Sequence, residues 1–343
     1  MYNEIIISKD NLINNIKQVK KYNPNSLICA MVKANAYGVG VENVVSSIDR
    51  YVDYYGVACF FEAKNLRSFT EKKILILGSV DDISEDFSYS CNSIDDVMKL
   101  IESGKHINIH LKINTGMNRY GFSSIKELKQ AIKLITKSKL NIEGVYTHFA
   151  TGDEYVDIQM NRMTKYLKIL QKHNINPIIH TDNSRVNRER NHHLDMVRIG
   201  YDLYNQDNKY FSSVVSIRSK IVDISTVRRR ELVGYDYRYV AKKKMSIAIV
   251  PIGYADGFDI RYIGMDLLVM NKKCKVLNVC MDCFMLDVSD ISIKKGDDIM
   301  ILDHINSLNK YADYTNTSPY QVMINFSHIR ARLTTISTNS EYE

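Results

Sequence analysis

Lys33 ends an apolar run rich in Ala, Met and Val, within Val32-Lys33-Ala34-Asn35-Ala36-Tyr37-Gly38. An ammonium whose stem leaves such surroundings loses hydration, which lowers its pKa and makes it a nucleophilic amine suited to a Schiff base. Other chemically able residues follow later apolar runs in the same way. One such stretch reads Asn114-Thr115-Gly116-Met117-Asn118-Arg119. Then come His148 and Thr151, Asn183 and Ser184, and finally Arg198 with Gly200-Tyr201.

Together these residues offer an amine, a phosphate cradle and two guanidinium groups. The Gly200 and Tyr201 amides with the Ser184 hydroxyl suit a phosphate. Arg198 suits a ring nitrogen, and Arg119 suits a substrate carboxylate held as a fork. Pyridoxal phosphate asks for that whole set at one site. Each residue also has a structural use. A lysine at a strand end commonly lays its stem on the surface with its charge in water. His148 can serve as a hydrogen-bonded core imidazole, Ser184 can cap the helix after it, and either arginine can join a structural ion pair. What favours chemistry is that five such residues fall on one rim.

A rim of that kind requires parallel strands ending on the same side. Eight short apolar runs, at 27–32, 55–59, 74–77, 87–91, 107–113, 144–149, 177–181 and 195–199, supply them. Stretches with helical periodicity lie near 9–21, 41–50, 61–70, 94–103, 124–137, 155–173 and 184–191. Asn11, Leu12, Asn15, Ile16 and Val19 keep the spacing of one helix face, and Ser124 ahead of Glu127 reads as a capping box. This α/β alternation predicts a (β/α)8 barrel of the TIM type, whose working residues sit at the C-terminal ends of the strands. The barrel is expected over residues 8–212. Beyond about residue 210 the pattern turns to β-rich runs at 246–252, 267–270, 275–280, 284–288 and 299–302, with a last helical stretch at 320–332. A smaller, mainly β domain is therefore expected over 213–343, with residues 1–7 pairing with it and a polar tail at 338–343.

Composition sets the outer bounds. The 343 residues suit two domains, 45% of them are hydrophobic and 25% are Asp, Glu, Lys or Arg, the balance of a folded globular chain and not a disordered one. Lys and Arg number 46 against 39 acids, a net charge of +7. The densest basic clusters, Arg228-Arg229-Arg230 and Lys242-Lys243-Lys244, are short and lie near Glu231 and Asp236. They read as solvated surface and not as a nucleic-acid site. No apolar run reaches the ~18 residues of a membrane span, and the start lacks the basic and apolar blocks of an export signal. The six cysteines are sparse. Cys280 and Cys283 form a C-x-x-C with no second ligand pair at zinc spacing, so a packed strand segment and no metal are expected. A reducing, cytoplasmic setting follows.

VKANAYGVG at 32–40 resembles the cofactor-lysine motif of the fold-type III alanine racemases. The resemblance runs through HLKINTGMNRYG (110–121), GVYTHFATGDE (144–154), HTDNS (180–184), MVRIGYDLY (196–204), PIGYADGF (251–258) and VCMDCFMLDVSD (279–290). Seven motifs in order across both halves are specific. The resemblance implies that Lys33 binds pyridoxal phosphate covalently and that Tyr37, Ser184, Gly200 and Tyr201 hold its phosphate. It implies Arg198 at the pyridine nitrogen with His148 beside the cofactor. Arg119 would flank the substrate carboxylate, positioned by Lys112, a site often carbamylated in the family. Tyr254 matches the second catalytic acid/base, reaching over from the partner subunit of a homodimer, with Met281 and Asp282 on the substrate-proximal loop. The implied activity is interconversion of L- and D-alanine, supplying D-amino acid for cell-wall peptidoglycan.

The chain also departs from the pattern. Val39 stands where many members carry His, Asn114 where Asp is common, Asp236 where Gly is usual and Asn278 where Arg is frequent. Ser327-His328-Ile329-Arg330-Ala331-Arg332 lacks the usual Ser-Tyr-Arg-Val-Pro-Arg. It is more similar to the racemase domain of membrane-bound serine racemases linked to vancomycin resistance. A more polar pocket around Asn325 or His328 tolerates a hydroxymethyl side chain, so serine follows alanine as substrate. A fold-type III amino-acid decarboxylase and a non-catalytic pyridoxal-phosphate carrier are the other classes. The first relies on a Gly-rich phosphate loop that is absent from this sequence, and the second has no need for residues 210–343.

Overall fold

The computed structural model describes residues 2–190, 192, 194–204 and 210–337. In chain order the first elements are β1 (Glu4–Ser8), α1 (Lys9–Tyr22), β2 (Leu27–Met31), α2 (Val41–Ile48), β3 (Tyr54–Val57), α3 (Phe60–Arg67) and β4 (Lys73–Ile76). There follow β5 (Ser88–Cys91), α4 (Ile94–Glu102), β6 (Ile107–Lys112), α5 (Ile125–Ile135), β7 (Leu140–Tyr146), α6 (Tyr155–Lys172), β8 (Ile178–His180), α7 (Ser184–Arg190), β9 (Met196–Ile199) and α8 (Tyr201–Tyr204). The rest are β10 (Val215–Lys220), β11 (Asp223–Val227), β12 (Met245–Val250), β13 (Asp266–Val269), β14 (Lys272–Val279), β15 (Phe284–Asp287), β16 (Asp298–Leu302), α9 (Leu308–Thr315), α10 (Pro319–Phe326) and β17 (Arg332–Ile336).

The chain forms two compact units. One takes Ile13–Ala36 and Val41–Leu203; the other takes the described residues of Met1–Leu12, Tyr37–Gly40 and Tyr204–Glu343. The first unit is a nearly closed barrel of eight parallel strands in the order β8-β7-β6-β5-β4-β3-β2-β9. Its strands are short and apolar because both faces are covered, as parallel sheets require. At the β8/β9 seam the Arg198 amide donates to the Asp182 carbonyl over 3.1 Å, and the Ile179 amide donates to the Asp195 carboxylate over 2.8 Å. Helices follow each strand except β4, where residues 77–87 cross to β5 without one. Ser124 caps α5 in a complete capping box with Glu127.

The second unit carries two sheets, β16-β10-β1-β17 and β11-β12-β15-β14-β13. Strand β1 runs antiparallel to β10 and parallel to β17. Two features depart from the sequence reading. The last helical stretch ends at Phe326, and Arg332–Ile336 is a strand. Its Leu-Thr-Thr-Ile core suits a sheet, but its partner is the other end of the chain, so no local signal marks the switch. Helix α9 and strands β10 and β11 also went unread, although β10 buries alternate residues in the period of two that strands show. The tail at 338–343 and the last residue of the expected 184–191 helix lie outside the described residues.

Candidate active site

Strand β2 delivers Lys33 to the C-terminal rim of the barrel, and the backbone then turns sharply. Ala34, Asn35, Ala36 and Tyr37 all have φ between 51 and 57°, a left-handed turn built without glycine. L-residues disfavour that conformation by about 1–2 kcal/mol each, and such strain concentrates at functional sites. Desolvation, and then the neighbouring Arg119, hold the Lys33 amine below the usual lysine range, against an upward pull from Glu62.

Arg198 enters from β9, the strand beside β2, in register with Cys29. Its side chain is buried, with the residue 4% exposed. The guanidinium donates to the carbonyls of His180, Thr147 and Thr181 and to Nδ1 of His180 over 2.6 Å. Because arginine has only donors, His180 Nδ1 must accept, so its proton sits on Nε2. That nitrogen meets His110 Nδ1 at 2.7 Å, and His110 Nε2 meets Glu143 at 3.1 Å. The chain therefore donates in one direction, from guanidinium through two neutral imidazoles to a carboxylate. Glu143 also accepts from Lys73 and Ser88, and the Tyr146 ring stacks on His180 at 4.7 Å. Gly144 is needed here, since a Cβ at that position would strike the His110 ring.

This buried run predicts acid lability. Burial keeps His110 and His180 below the ordinary imidazole range, and burial with Arg198 takes His148 down to about 3. An unfolded imidazole takes a proton below pH ~6.5 while these stay neutral, so stability is full above that pH and falls beneath it. For the fully buried His110 and His180 the loss approaches ~1.4 kcal/mol per pH unit each. Glu143, held at about 2 chiefly by His110 and Lys73 against burial, adds a further loss below the unfolded carboxylate range. The urea midpoint should drop steeply between pH 7 and pH 5; a flat profile would show that the imidazoles charge in the native state.

The other rim residues cluster around these. Lys112, 5% exposed, meets no carboxylate among the described residues and lies over the rings of Tyr120 and Tyr146 at 5.0 and 5.6 Å. Burial and the field of Arg119, Arg198 and Lys33 bring its amine down to about 8. Lys112, Arg119, His148 and Thr147 line one small recess. His148 Nδ1 lies 3.4 Å from Arg198 Nη2. The Ser184 hydroxyl accepts the Gly200 and Asp202 amides at 3.2 and 3.4 Å, which gathers Ser184, Gly200 and Tyr201. Asn114 accepts the Gly116 and Asn118 amides and donates to Asn118 and Ser123. An Asp there has no N–H to donate to those two oxygens, which gives the departure a local reason.

The remaining expected residues belong to the second unit. Tyr254 opens the short turn Tyr254–Asp256 and is 44% exposed. Its amide donates to the Cys280 carbonyl and that of Ala255 to the Met281 carbonyl, at 3.0 and 2.9 Å. Met281 and Asp282 form the two-residue turn of the β14/β15 hairpin, closed by the Cys280 amide on the Cys283 carbonyl. A Cβ on Gly253 would meet the carbonyls of that turn. Asp256 is fully buried, accepts the Gly253 amide and takes a two-pronged grip from Arg330 at 2.7 and 2.8 Å. Tyr254, Asn325 and His328 line one open cleft. Tyr37 stacks obliquely with Tyr204 and Tyr320.

Sequence reasoning overlooked Glu62, His110, Glu143, His180, Asp256 and Arg330. His110 sits two residues before Lys112 on β6, and that inward spacing was the available signal. Among the described residues no His, Cys, Asp and Glu cluster suits a metal ion, and no helix is long and apolar enough to cross a membrane. All six cysteines are free.

Comparison with known proteins shows the family. Residues 7–207 match the family model of the alanine racemase N-terminal domain, and residues 214–334 match that of its C-terminal domain. The alanine racemase of Vesicomyosocius okutanii is 31% identical, over 97% of this chain and 98% of its own. Alanine racemase 2 of Caldanaerobacter subterraneus is 32% identical, over 86% and 84%. Among solved structures, the alanine racemase from Bacillus anthracis with bound L-Ala-P superposes with a TM-score of 0.91 at 27% identity, covering 98% of this chain and 96% of that one. Two family models in order along nearly the whole chain, on a barrel followed by mainly antiparallel sheets, identify it as a member of the alanine racemase family of amino-acid racemases.

Proposed function

We propose that this chain is a pyridoxal-phosphate-dependent racemase that interconverts L- and D-alanine with two acid/bases, Lys33 and Tyr254, in a homodimer where Tyr254 comes from the partner subunit. The observation that carries the reading is Arg198, a buried guanidinium on the strand beside β2, whose end leads into Lys33. The donor set fits the cofactor: an amine at Lys33, N–H donors at Arg198, and the Ser184 hydroxyl gathered with Gly200 and Tyr201 for a phosphate, with Tyr37 as a further phosphate contact. Pyridoxal phosphate supplies, when bound, an electron-withdrawing ring that eases loss of the α-proton.

The protein's own groups do the rest. Arginine does not surrender its proton near neutral pH, so Arg198 hydrogen-bonds a ring nitrogen without protonating it. A less electron-hungry ring restrains reactions other than racemisation. Arg119 grips the substrate carboxylate as a fork, with His148 beside it and Met281-Asp282 bounding the substrate on the Tyr254 side. Inversion requires a proton taken from one face of the α-carbon and one returned to the other. Lys33 Nζ serves one face and Tyr254 Oη the other. A second copy is the source proposed for the phenol, and the dimer is then obligate. The product suits the peptidoglycan of a bacterial cell wall, made by an enzyme working in the cytoplasm.

Lys112 is proposed to carry a carbamate. Its amine, brought down to about 8, has a reactive neutral fraction; the nitrogen bonds to carbon dioxide and releases a proton. The resulting anion balances Arg119. With ¹³C-bicarbonate, a carbamate carbon signal is expected that is missing in Lys112→Arg; its absence from the parent protein removes the modification.

Serine is the second reading, favoured by Asn325 and His328 on the Tyr254 cleft. Chiral chromatography of the cofactor-loaded protein against a panel of L-amino acids decides between them. D-alanine formed with the higher kcat/KM supports the first reading, and faster turnover of L-serine reverses the order. Release of carbon dioxide without a D-product would point to a decarboxylase, and no turnover at all to a carrier.

A further inference from the structure

The left-handed turn after Lys33 raises the question of what holds it. Inside the turn the Ala36 amide donates to the Val32 carbonyl at 2.8 Å, and the Asn35 side chain accepts the Val41 amide at 2.9 Å. The Ala34 amide, next to the reactive lysine, is satisfied by neither. It donates to Oε1 of Glu62 at 2.8 Å. The other oxygen of that carboxylate accepts the Ala58 amide, in the loop after β3, at 2.7 Å. One side chain from α3 thus ties the ends of two neighbouring barrel strands together. It spends both oxygens on backbone donors, and it places a negative charge near the lysine.

We propose that Glu62 is a positioning residue for Lys33: its carboxylate locks the strained turn that aims the amine and sets a negative charge beside that turn. This rests on Lys33 being the reactive amine. The groups whose fields reach Lys33 are Glu62 and Arg119, with Lys112 and His148 linked to it in turn. Glu62 is the acid among them. Without it the lysine keeps the neighbouring Arg119 cation but loses that carboxylate, and its protonated form loses support. A shorter acid retains the charge but cannot span both amides. Glutamine retains the length but offers an N–H where one backbone N–H already points. Charge and clamp are therefore separable by substitution.

The test uses two readouts that need no bound cofactor and no turnover. The first is amide hydrogen exchange at Ala34 and Ala58. In Glu62→Ala both amides should exchange about 10-fold faster or more, the scale of one lost hydrogen bond to a charged group, while amides of β6 and β7 stay protected. The second is the pH dependence of Lys33 acetylation, read by peptide mass spectrometry on cofactor-stripped protein. In Glu62→Gln the midpoint should move to lower pH; in Glu62→Asp it should stay near the parent value although Ala34 exchange accelerates. Unchanged exchange at Ala34 in Glu62→Ala overturns the clamp, and an unmoved midpoint in Glu62→Gln overturns the charge. Both outcomes are independent of where the cofactor attaches. If borohydride labelling of the loaded enzyme misses Lys33 while both readouts respond as expected, the functional reading fails and the clamp stands.

Discussion

Lys33→Ala should lower kcat/KM for alanine racemisation by on the order of 10⁴ or more, the scale seen when a covalent catalytic group is deleted. Two losses combine in it. The protein loses the amine that secures the cofactor, and it loses the acid/base on one face of the substrate. Borohydride treatment followed by peptide mapping should label the parent peptide around position 33 and leave that of the variant clean. The fold should survive, because the lysine lies beyond the end of β2 and its removal takes no atom from the core. A near-UV spectrum and thermal midpoint close to the parent's would establish that. Retained turnover, or label on another lysine, would remove position 33 from the chemistry.

The second large effect is expected from Tyr254→Phe, which deletes one oxygen from a half-exposed ring. General acid/base groups contribute typically 10²–10⁴-fold, so turnover should fall by that factor while cofactor stays bound. The decisive form of the experiment mixes two crippled proteins. If Tyr254 serves the partner's Lys33, a hybrid dimer of Lys33→Ala with Tyr254→Phe carries one doubly damaged site and one intact site. Random reassortment then restores about a quarter of parental activity, since half the dimers are hybrids and half their sites work. Sites confined to single chains give no rescue. An active monomer would end the proposal outright.

Much of the barrel was legible before the structure. Runs such as 107–113 and 195–199 are continuous and apolar because parallel strands are covered on both faces, and Ser124 with Glu127 signals a helix start through local hydrogen bonds alone. The rim residues followed, since Lys33, Arg198 and Gly200 come just after, or on, readable strands. The interior chain from Arg198 through His180 and His110 to Glu143 was not legible. Its members are 18 to 70 residues apart along the sequence where they touch, and nothing in either neighbourhood announces the other. Glu62 was hidden for a similar reason: a lone acid on a helix reads as solvated until the loop facing it is known. The last strand failed because its partner is the first.

That pairing has a consequence for synthesis. Strand β1 leaves the ribosome some 330 residues ahead of one of its two neighbours, β17, and Thr334 donates to Glu4 across that separation. At roughly 5–20 residues per second, β1 waits on the order of 15 seconds to a minute for that neighbour. The barrel strands find their partners much sooner. A nascent chain stalled near residue 300 should therefore hold a protease-resistant barrel with the β1 segment still open to cleavage, a vulnerability that closes only when β17 arrives.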